Sequence, residues 1–358
     1  MSGAKPTIFF AGGGTGGHLY PSLAVAERLG DAFEPRFFCS LKAVDGRVLE
    51  PTGYRYTRLS VRGLGGNPLG WPGFLYRFKS SQWVARQELR EAGARCVVAM
   101  GGYVSGPVVY AARGLGVPVL LVNLDATAGR ANRRLAPLAD RVLSVYDEPG
   151  LGVAYEKIGF PIRDAARATE RREAGEGEKP TLLVTGASSG AKTINEAMME
   201  LAERGELGEW KVIHLTGMGR AEGVRRVYGE RGVEAEVHEY VDGMGRVWGR
   251  ADAAVSRAGA GSVAEAVANG VPTVFVPYPY HKDAHQRLNV ERYERAGAAV
   301  CLTDAIDRRE NADRLGRVLR EMRGERAVLA GMRERLAGFA GEDGGGVIAA
   351  AVRAVMGG

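Results

Sequence analysis

Two neighbouring segments in the second half of the chain combine backbone and side chains suited to holding a phosphorylated ligand. The first reads Ser256-Arg-Ala-Gly-Ala-Gly-Ser-Val-Ala-Glu-Ala266, the second Val276-Pro-Tyr-Pro-Tyr-His-Lys-Asp-Ala-His-Gln286. An apolar strand over Ala253 to Val255 runs into small residues, and helical periodicity begins at about Ser262. Gly259 and Gly261 let the backbone approach a ligand closely, and the N–H groups of the first helical turn then point at it. A helix start favours a phosphate through both its dipole and its unpaired donors. The pattern puts Glu265 in that first turn, one step from the anion, where a carboxylate accepts from paired sugar hydroxyls. The same residues also fit an ordinary strand–helix–strand unit with Ser262 as N-cap and Glu265 as capping carboxylate.

Further loops of this kind recur along the chain, and the elements between them must set their positions. Thr7 to Ala11 reads as a buried strand leading into Gly12-Gly-Gly-Thr-Gly-Gly-His-Leu-Tyr-Pro21, with a helix from Pro21 to Leu29 and Pro21 at its first position. Gly12, Gly14 and Gly17 match G-x-G-x-x-G, but the second strand, Arg36 to Cys39, ends in Ser40-Leu41 without the acidic residue a dinucleotide ribose needs. Tyr54 to Leu59, a helix over Ser81 to Ala92, and Cys96 to Met100 lead to a second loop, Gly101-Gly-Tyr-Val-Ser-Gly-Pro107. The strand Val117 to Val122 then opens into Asn123-Leu-Asp-Ala-Thr-Ala-Gly129. After a polar stretch at Arg171 to Lys179 the pattern restarts with a strand at Thr181 to Thr185, the loop Gly186-Ala-Ser-Ser-Gly-Ala-Lys192 and a helix from about Thr193. Strands follow at Lys211 to Leu215 and Glu236 to Val241, and a last apolar helix at Val347 to Met356. Alternating strands and helices predict parallel, doubly wound sheets with ligand loops along one edge, and the restart predicts two similar domains.

Several chemistries are not expected. Ala191 stands where a P-loop requires the glycine before its lysine, which disfavours a nucleoside triphosphatase. No D-x-D, H-E-x-x-H or C-x-x-C occurs, so neither a metal nor another cofactor is expected, and a hydrolase nucleophile elbow is not expected either. The net charge of +6 suits an anionic partner, yet Lys and Arg are scattered along helical patterns rather than clustered as nucleic-acid binding demands. Cys39, Cys96 and Cys301 are odd in number and far apart, which predicts a reduced, cytoplasmic protein. No signal peptide is expected, nor a segment reaching the ~20 apolar residues of a spanning helix.

One stretch is unusually rich in large apolar residues. Leu69, Trp71, Phe74, Leu75, Phe78 and Trp83 lie among Arg62, Arg77, Lys79 and Arg86. That composition fits a surface resting on an anionic bilayer, and equally a buried helix of the N-terminal core.

Taken in order, the motifs resemble the MurG family, bacterial transferases that add N-acetylglucosamine from UDP-N-acetylglucosamine to a lipid-linked muramoyl-pentapeptide in peptidoglycan synthesis. The matching pieces are Gly13-Gly-Thr-Gly-Gly-His18, Gly101-Gly-Tyr-Val-Ser-Gly-Pro107, Gly159-x-Pro-x-Arg163, Gly186-x-Ser-x-Gly-Ala191 and Ser256-Arg-x-Gly259 with Glu265. His281-Lys-Asp283, Gln286 and Asn289 complete the set, which covers nearly the whole chain. The resemblance implies an α/β GT-B fold: two Rossmann-like doubly wound domains facing a cleft, with the final helix crossing back to the first. Residues 1–162 with 342–358 would form the acceptor and membrane-facing domain, and 163–341 the donor domain. It implies donor contacts at Arg163, Ser188, Val241, Ala260, Gly261, Ser262, Val263, Ala264, Glu265 and Gln286. In these the helix start holds the diphosphate, Glu265 the ribose, the backbone near Val241 the uracil and Gln286 the sugar. Thr15, Gly16 and Gly17 would face the cleft, and His18 is the candidate base for the acceptor hydroxyl, its alternative roles being to cap the following helix or to hold a phosphate.

The family usually has His-Glu-Gln-Asn after the strand ending at Val122, where this chain reads Val122-Asn-Leu-Asp125. Asp125 replaces the asparagine used at the cleft and becomes a second candidate base; the histidine is gone. The implied activity is an inverting glycosyl transfer without a metal at the cytoplasmic face of the inner membrane, by a peripheral enzyme. Its partners would be UDP-N-acetylglucosamine, the undecaprenyl-linked acceptor and the anionic membrane surface. Two other readings stay open: a GT-B transferase with another lipid or small-molecule acceptor, and a UDP-sugar-binding scaffold without activity.

Overall fold

The computed structural model describes residues 5–63, 70–172, 175, 177–187, 190–280, 285–324, 326–339, 341 and 343–357. The chain divides into two compact units, Met1–Arg163 with Glu342–Gly358, and Asp164–Gly341.

In the first unit seven parallel strands, β1 (Thr7–Ala11), β2 (Glu34–Ser40), β3 (Arg55–Leu59), β4 (Cys96–Ala99), β5 (Val119–Asn123), β6 (Arg141–Ser144) and β7 (Glu156–Lys157), lie in the order β3-β2-β1-β4-β5-β6-β7. Helices α1 (Gly16–Leu29), α2 (Ala43–Leu49), α3 (Trp71–Glu91), α4 (Gly102–Arg113) and α5 (Arg130–Leu135) connect them. Strand side chains alternate between faces, so Ile8 and Phe10 enter one core while Phe9 and Ala11 enter the other. Both faces are covered, which is why β1 and β4 read as unbroken apolar runs.

In the second unit six parallel strands, β8 (Thr181–Thr185), β9 (Lys211–Leu215), β10 (Ala235–His238), β11 (Ala253–Ser256), β12 (Thr273–Phe275) and β13 (Ala299–Cys301), lie in the order β10-β9-β8-β11-β12-β13. Its helices are α6 (Lys192–Glu203), α7 (Ala221–Glu230), α8 (Gly245–Trp248), α9 (Ala260–Ala268), α10 (His285–Arg295), α11 (Arg308–Gly324) and α12 (Arg326–Ala337). The last helix, α13 (Gly344–Gly357), belongs to the first unit. There Ile348 and Val352 join the core with Leu19 and Leu23 of α1, and Arg28 Nε donates to Asp343 Oδ2 at 2.5 Å.

In each sheet the strand order reverses once, between β1 and β4 and between β8 and β11. Loops at the carboxyl ends of such strand pairs are where doubly wound sheets bind ligands. Three helices begin elsewhere than their periodicity suggests. Helix α1 starts at Gly16, so Pro21 lies inside it rather than opening it, and the N–H missing there is the one that would bond the Gly17 carbonyl. Helix α3 starts at Trp71 and takes in the aromatic stretch from Trp71 to Trp83, and α9 starts at Ala260.

Candidate functional site

In the second unit the turn from β11 into α9 has an extended Gly259 as N-cap and no side-chain cap. Ser262 is therefore not the N-cap, and Glu265 lies in the second turn rather than the first, so it cannot act as a capping carboxylate. The first four N–H groups of any helix lack an intrahelical acceptor, and among the described residues no side-chain cap is made here. Glu265 faces inward: Trp248 Nε1, at the end of α8, donates to its Oε2 at 3.0 Å. Burial pushes the Glu265 carboxyl up to about 7, with the indole N–H pulling the other way. The Ala260, Val263 and Ala266 side chains sink into the core, while Gly261, Ser262 and Ala264 are half-buried.

Arg257, directly after β11, braces this turn. Its Nη1 donates to Asp304 Oδ2 at 2.8 Å and to the carbonyls of Val276 and Pro277, and its Nη2 to Thr193 Oγ1 at 2.7 Å. One guanidinium thus ties together the ends of β11 and β12, the start of α6 and the segment after β13. Burial works to raise the Asp304 carboxyl, but hydrogen bonds from Thr193, Arg257, Asn311 and the Ile306 N–H hold it below the usual carboxylate range. Gln286, at the start of α10, accepts the Tyr278 N–H on its Oε1 at 2.8 Å, and Val241 is half-buried against the core. Ser188, His281, Lys282 and Asp283 lie outside the described residues.

The loop from Gly186 to Gly190 does hold the G-x-S-x-G spacing, contrary to the expectation of no nucleophile elbow, and it joins a strand to a helix. An elbow needs a histidine base beside it. His214, on the adjacent β9, is fully buried and committed, with Nδ1 to Tyr228 Oη at 2.8 Å and Nε2 to Asn195 Oδ1 at 3.1 Å.

In the first unit the two glycine loops interlock. At Gly14 (φ 88°) a Cβ would meet the Tyr103 hydroxyl at 2.7 Å, and at Gly102 (φ 77°) one would meet His18 Cε1 at 3.0 Å. Only glycine fits both places, so Tyr103 covers one loop and the His18 imidazole packs on the other. His18 Nδ1 lies 3.3 Å from the Gly13 carbonyl oxygen. A carbonyl only accepts, so Nδ1 donates in this contact, and of the two neutral tautomers it selects the one with the lone pair at Nε2. Thr15 and Gly17 are exposed and Gly16 is buried. Arg163 is the last residue of this unit, its Nε donating to Glu27 Oε1 of α1 at 2.7 Å.

Residues 8–144 match the glycosyltransferase family 28 N-terminal domain, and residues 181–343 the corresponding C-terminal domain. A Halorhodospira halophila protein named UDP-N-acetylglucosamine–N-acetylmuramyl-(pentapeptide) pyrophosphoryl-undecaprenol N-acetylglucosamine transferase is 38% identical over 343 residues, covering 94% of this chain and 95% of that protein. One of the same name from Acidithiobacillus ferrooxidans is 36% identical over 306 residues, covering 83% and 84%. The chain belongs to the MurG family of glycosyltransferases. The crystal structure of Acinetobacter baumannii MurG shares its fold with a TM-score of 0.77 at 24% identity, over 98% of this chain and 99% of that one. A kitacinnamycin glycosyltransferase shares it at a TM-score of 0.72 and 18% identity, over 99% and 100%.

Within this MurG-family chain the altered run after β5 has its own internal logic. Asn123 is buried and its Nδ2 donates to the Asp125 carbonyl at 2.7 Å and to Ser144 Oγ at 3.3 Å, which folds the loop back. Asn123 Oδ1 accepts from Asn132 Nδ2 at 3.1 Å. The Asn132 Oδ1, buried and without a hydrogen-bond partner among the described residues, looks onto the face of Gly101 that His18 Nε2 also lines. Asp125 itself is half-buried.

Sequence reasoning missed four residues here. Asp45, on α2, is fully buried and accepts from the N–H of Gly14 at 2.8 Å and of Ser40 at 2.8 Å, while Lys42 Nζ donates to the Gly14 carbonyl at 2.9 Å. An acidic residue does follow the second strand, but it is spent on the glycine loop, so the Gly14 N–H is not offered to an anion. Trp248, Arg257 and Asn132 are the others. Their partners lie 17 to 64 residues away for Trp248 and Arg257, a separation that local patterning does not report.

The aromatic stretch is not the buried helix that its composition also allowed. Trp71, Leu75 and Trp83 are 52%, 57% and 63% exposed on α3, and Lys79 and Arg86 are exposed beside them. Phe74 and Phe78 are half-buried, with Phe78 against Gly106 and edge-on to Tyr110 at 5.9 Å. Leu69 lies outside the described residues. Among the described residues no helix is long and apolar enough to cross a membrane.

Proposed function

We propose that the chain transfers N-acetylglucosamine from UDP-N-acetylglucosamine to undecaprenyl-pyrophosphoryl N-acetylmuramyl-pentapeptide, with inversion at the sugar carbon. The observation that carries the reading is near-full-length likeness to relatives named for that reaction. The second unit would hold the donor and the first the acceptor. The uncapped N–H groups at Ala260, Gly261 and Ser262 receive the diphosphate and stabilise the charge that grows on it as it leaves, the task a metal performs elsewhere. Val263 and Ala264 fill the turn between, Glu265 accepts from the ribose hydroxyls, and the backbone at Val241 reads the uracil. Gln286 contacts the sugar, with Ser188 and Arg163 completing the donor contacts.

The acceptor hydroxyl attacks the anomeric carbon, the bond from that carbon to the diphosphate oxygen breaks, and its electron pair leaves with UDP. The hydroxyl proton passes to His18 Nε2, the ring nitrogen left to accept when Nδ1–H is held by the Gly13 carbonyl, which also favours the imidazolium that forms. Thr15, Gly16 and Gly17 line the acceptor side, and Asp125 stands as the second candidate base. Trp71, Leu75 and Trp83, with Phe74, Arg77 and Lys79 beside them, would rest on an anionic membrane at the cytoplasmic face, bringing the chain to its lipid substrate. Phe78 anchors the helix beneath.

The test supplies purified full-length protein with UDP-N-acetylglucosamine and the lipid-linked acceptor and follows sugar into lipid. Transfer to this acceptor supports the reading. UDP release with a diacylglycerol or small-molecule acceptor in its place favours a different acceptor, a reading that the Asn123 to Asp125 loop motivates. UDP binding with no transfer to any acceptor favours a scaffold.

A further inference from the structure

Trp248 ends a one-turn helix and is 1% exposed, packed in a core that includes Val247, Ala251, Val263 and Val267. Its only polar atom, Nε1, is spent on Glu265 Oε2 at 3.0 Å. An indole N–H can only donate, so the bond forms best with an ionised oxygen and fixes which of the two carboxyl oxygens faces the core. We propose that Trp248 is a positioning residue for nucleotide recognition: it anchors one oxygen of Glu265 so that the other is presented, in a single orientation, to paired ribose hydroxyls. This rests on the reading of Glu265 as the ribose acceptor.

Without the anchor, Glu265 would be a half-buried carboxyl free to rotate and to take up a proton. Burial already pushes it up to about 7, opposed by the indole bond. Charged neighbours are committed elsewhere: Arg171 bonds the Asn269 and Gly270 carbonyls at the far end of α9, Arg246 the Asp242 carbonyl, and Arg287 of α10 pairs with Glu294. Paired hydroxyls donate to a carboxylate and lose half of that fit when it is protonated. Ribose binding therefore favours release of the Glu265 proton, and loss of the indole N–H makes that release harder.

The experiment measures UDP affinity by calorimetry from pH 6 to 9 for full-length wild type, Trp248→Phe and Glu265→Gln, the last accounting for titration of the diphosphate itself. Trp248→Phe should weaken UDP about tenfold or more at pH 7, the change expected when a hydrogen bond to a charged group is lost. Its affinity–pH curve should shift to higher pH, with much of the loss recovered at pH 9. If Trp248→Phe fails to fold, the benzothiophene isostere of the Trp248 side chain, which keeps the shape and lacks the N–H, takes its place. An unchanged curve, or a uniform loss without a shift in pH, overturns the proposal, since packing alone would then account for Trp248. If Glu265→Gln itself binds UDP as wild type does, the ribose reading has failed instead.

Discussion

Arg257 Nη1 and Asp304 Oδ2 form a 2.8 Å ion pair in which the two side chains are 9% and 0% exposed. Removing one partner leaves an uncompensated buried charge, which costs about 3–5 kcal/mol, far more than an exposed pair contributes. Arg257→Met should therefore lower the unfolding free energy of the second unit, read from urea melts, by that amount, and Asp304→Asn in the same chain should restore part of it. If the single variant is as stable as wild type, Arg257 is not the brace described above.

His18→Ala should reduce kcat by about 10²–10⁴-fold, the usual contribution of a general base, with UDP-N-acetylglucosamine affinity nearly unchanged. Asp125→Asn, which keeps shape and removes basicity, is measured beside it. A loss of only a few-fold for His18 and a large one for Asp125 would transfer the role of base to Asp125.

Exposure on α3 divides the aromatic stretch into two classes with different expected outcomes. Changing Trp71, Leu75 and Trp83 to serine should weaken binding to anionic liposomes and leave the melting temperature unchanged. Phe78→Ser should instead destabilise the fold, because its ring packs on Gly106 and Tyr110. Undiminished liposome binding by the triple variant would remove this face from membrane docking.

Two buried groups of the second unit set opposing pH dependences. Burial depresses the His214 imidazole from 6.5 to about 3, so the unfolded chain binds a proton that the folded one refuses, and stability falls as pH drops below 6.5. Glu265 is raised from 4.5 to about 7, so the folded chain keeps a proton the unfolded one releases, and stability rises as pH drops from 7 towards 4.5. Each slope approaches ~1.4 kcal/mol per pH unit, and between pH 6.5 and 5 they nearly cancel. Glu265→Gln should remove one side of that balance and make the protein acid-labile at roughly that slope. Urea midpoints of wild type and variant at pH 5, 5.75 and 6.5 check this, and parallel curves would refute it.

The sequence by itself determined the two doubly wound sheets. Apolar runs such as Ile8 to Ala11 and Leu182 to Val184, separated by glycine loops and helical periods, have the pattern of parallel strands covered on both faces. It also marked the glycine-rich loops at the strand ends, because glycine and a small set of polar residues recur there. Helix starts were less legible. Thr15 and Gly259 precede their helices without a side-chain capping bond, and neither is followed by the acidic first turn that would have marked the start.

The tertiary structure decided which side chains act together. Asp45 meets Gly14, Trp248 meets Glu265 and Arg257 meets Asp304 because parallel β–α units bring sequence-distant strand ends to one edge of a sheet. It also decided which apolar residues face water. Trp71 and Leu75 have the composition of a core, and only the packing of α3 against α4, through its Ser81, Ala85 and Leu89 face, turns them outward. Composition fixes how strongly a side chain avoids water; the geometry of the neighbouring helix fixes whether it can.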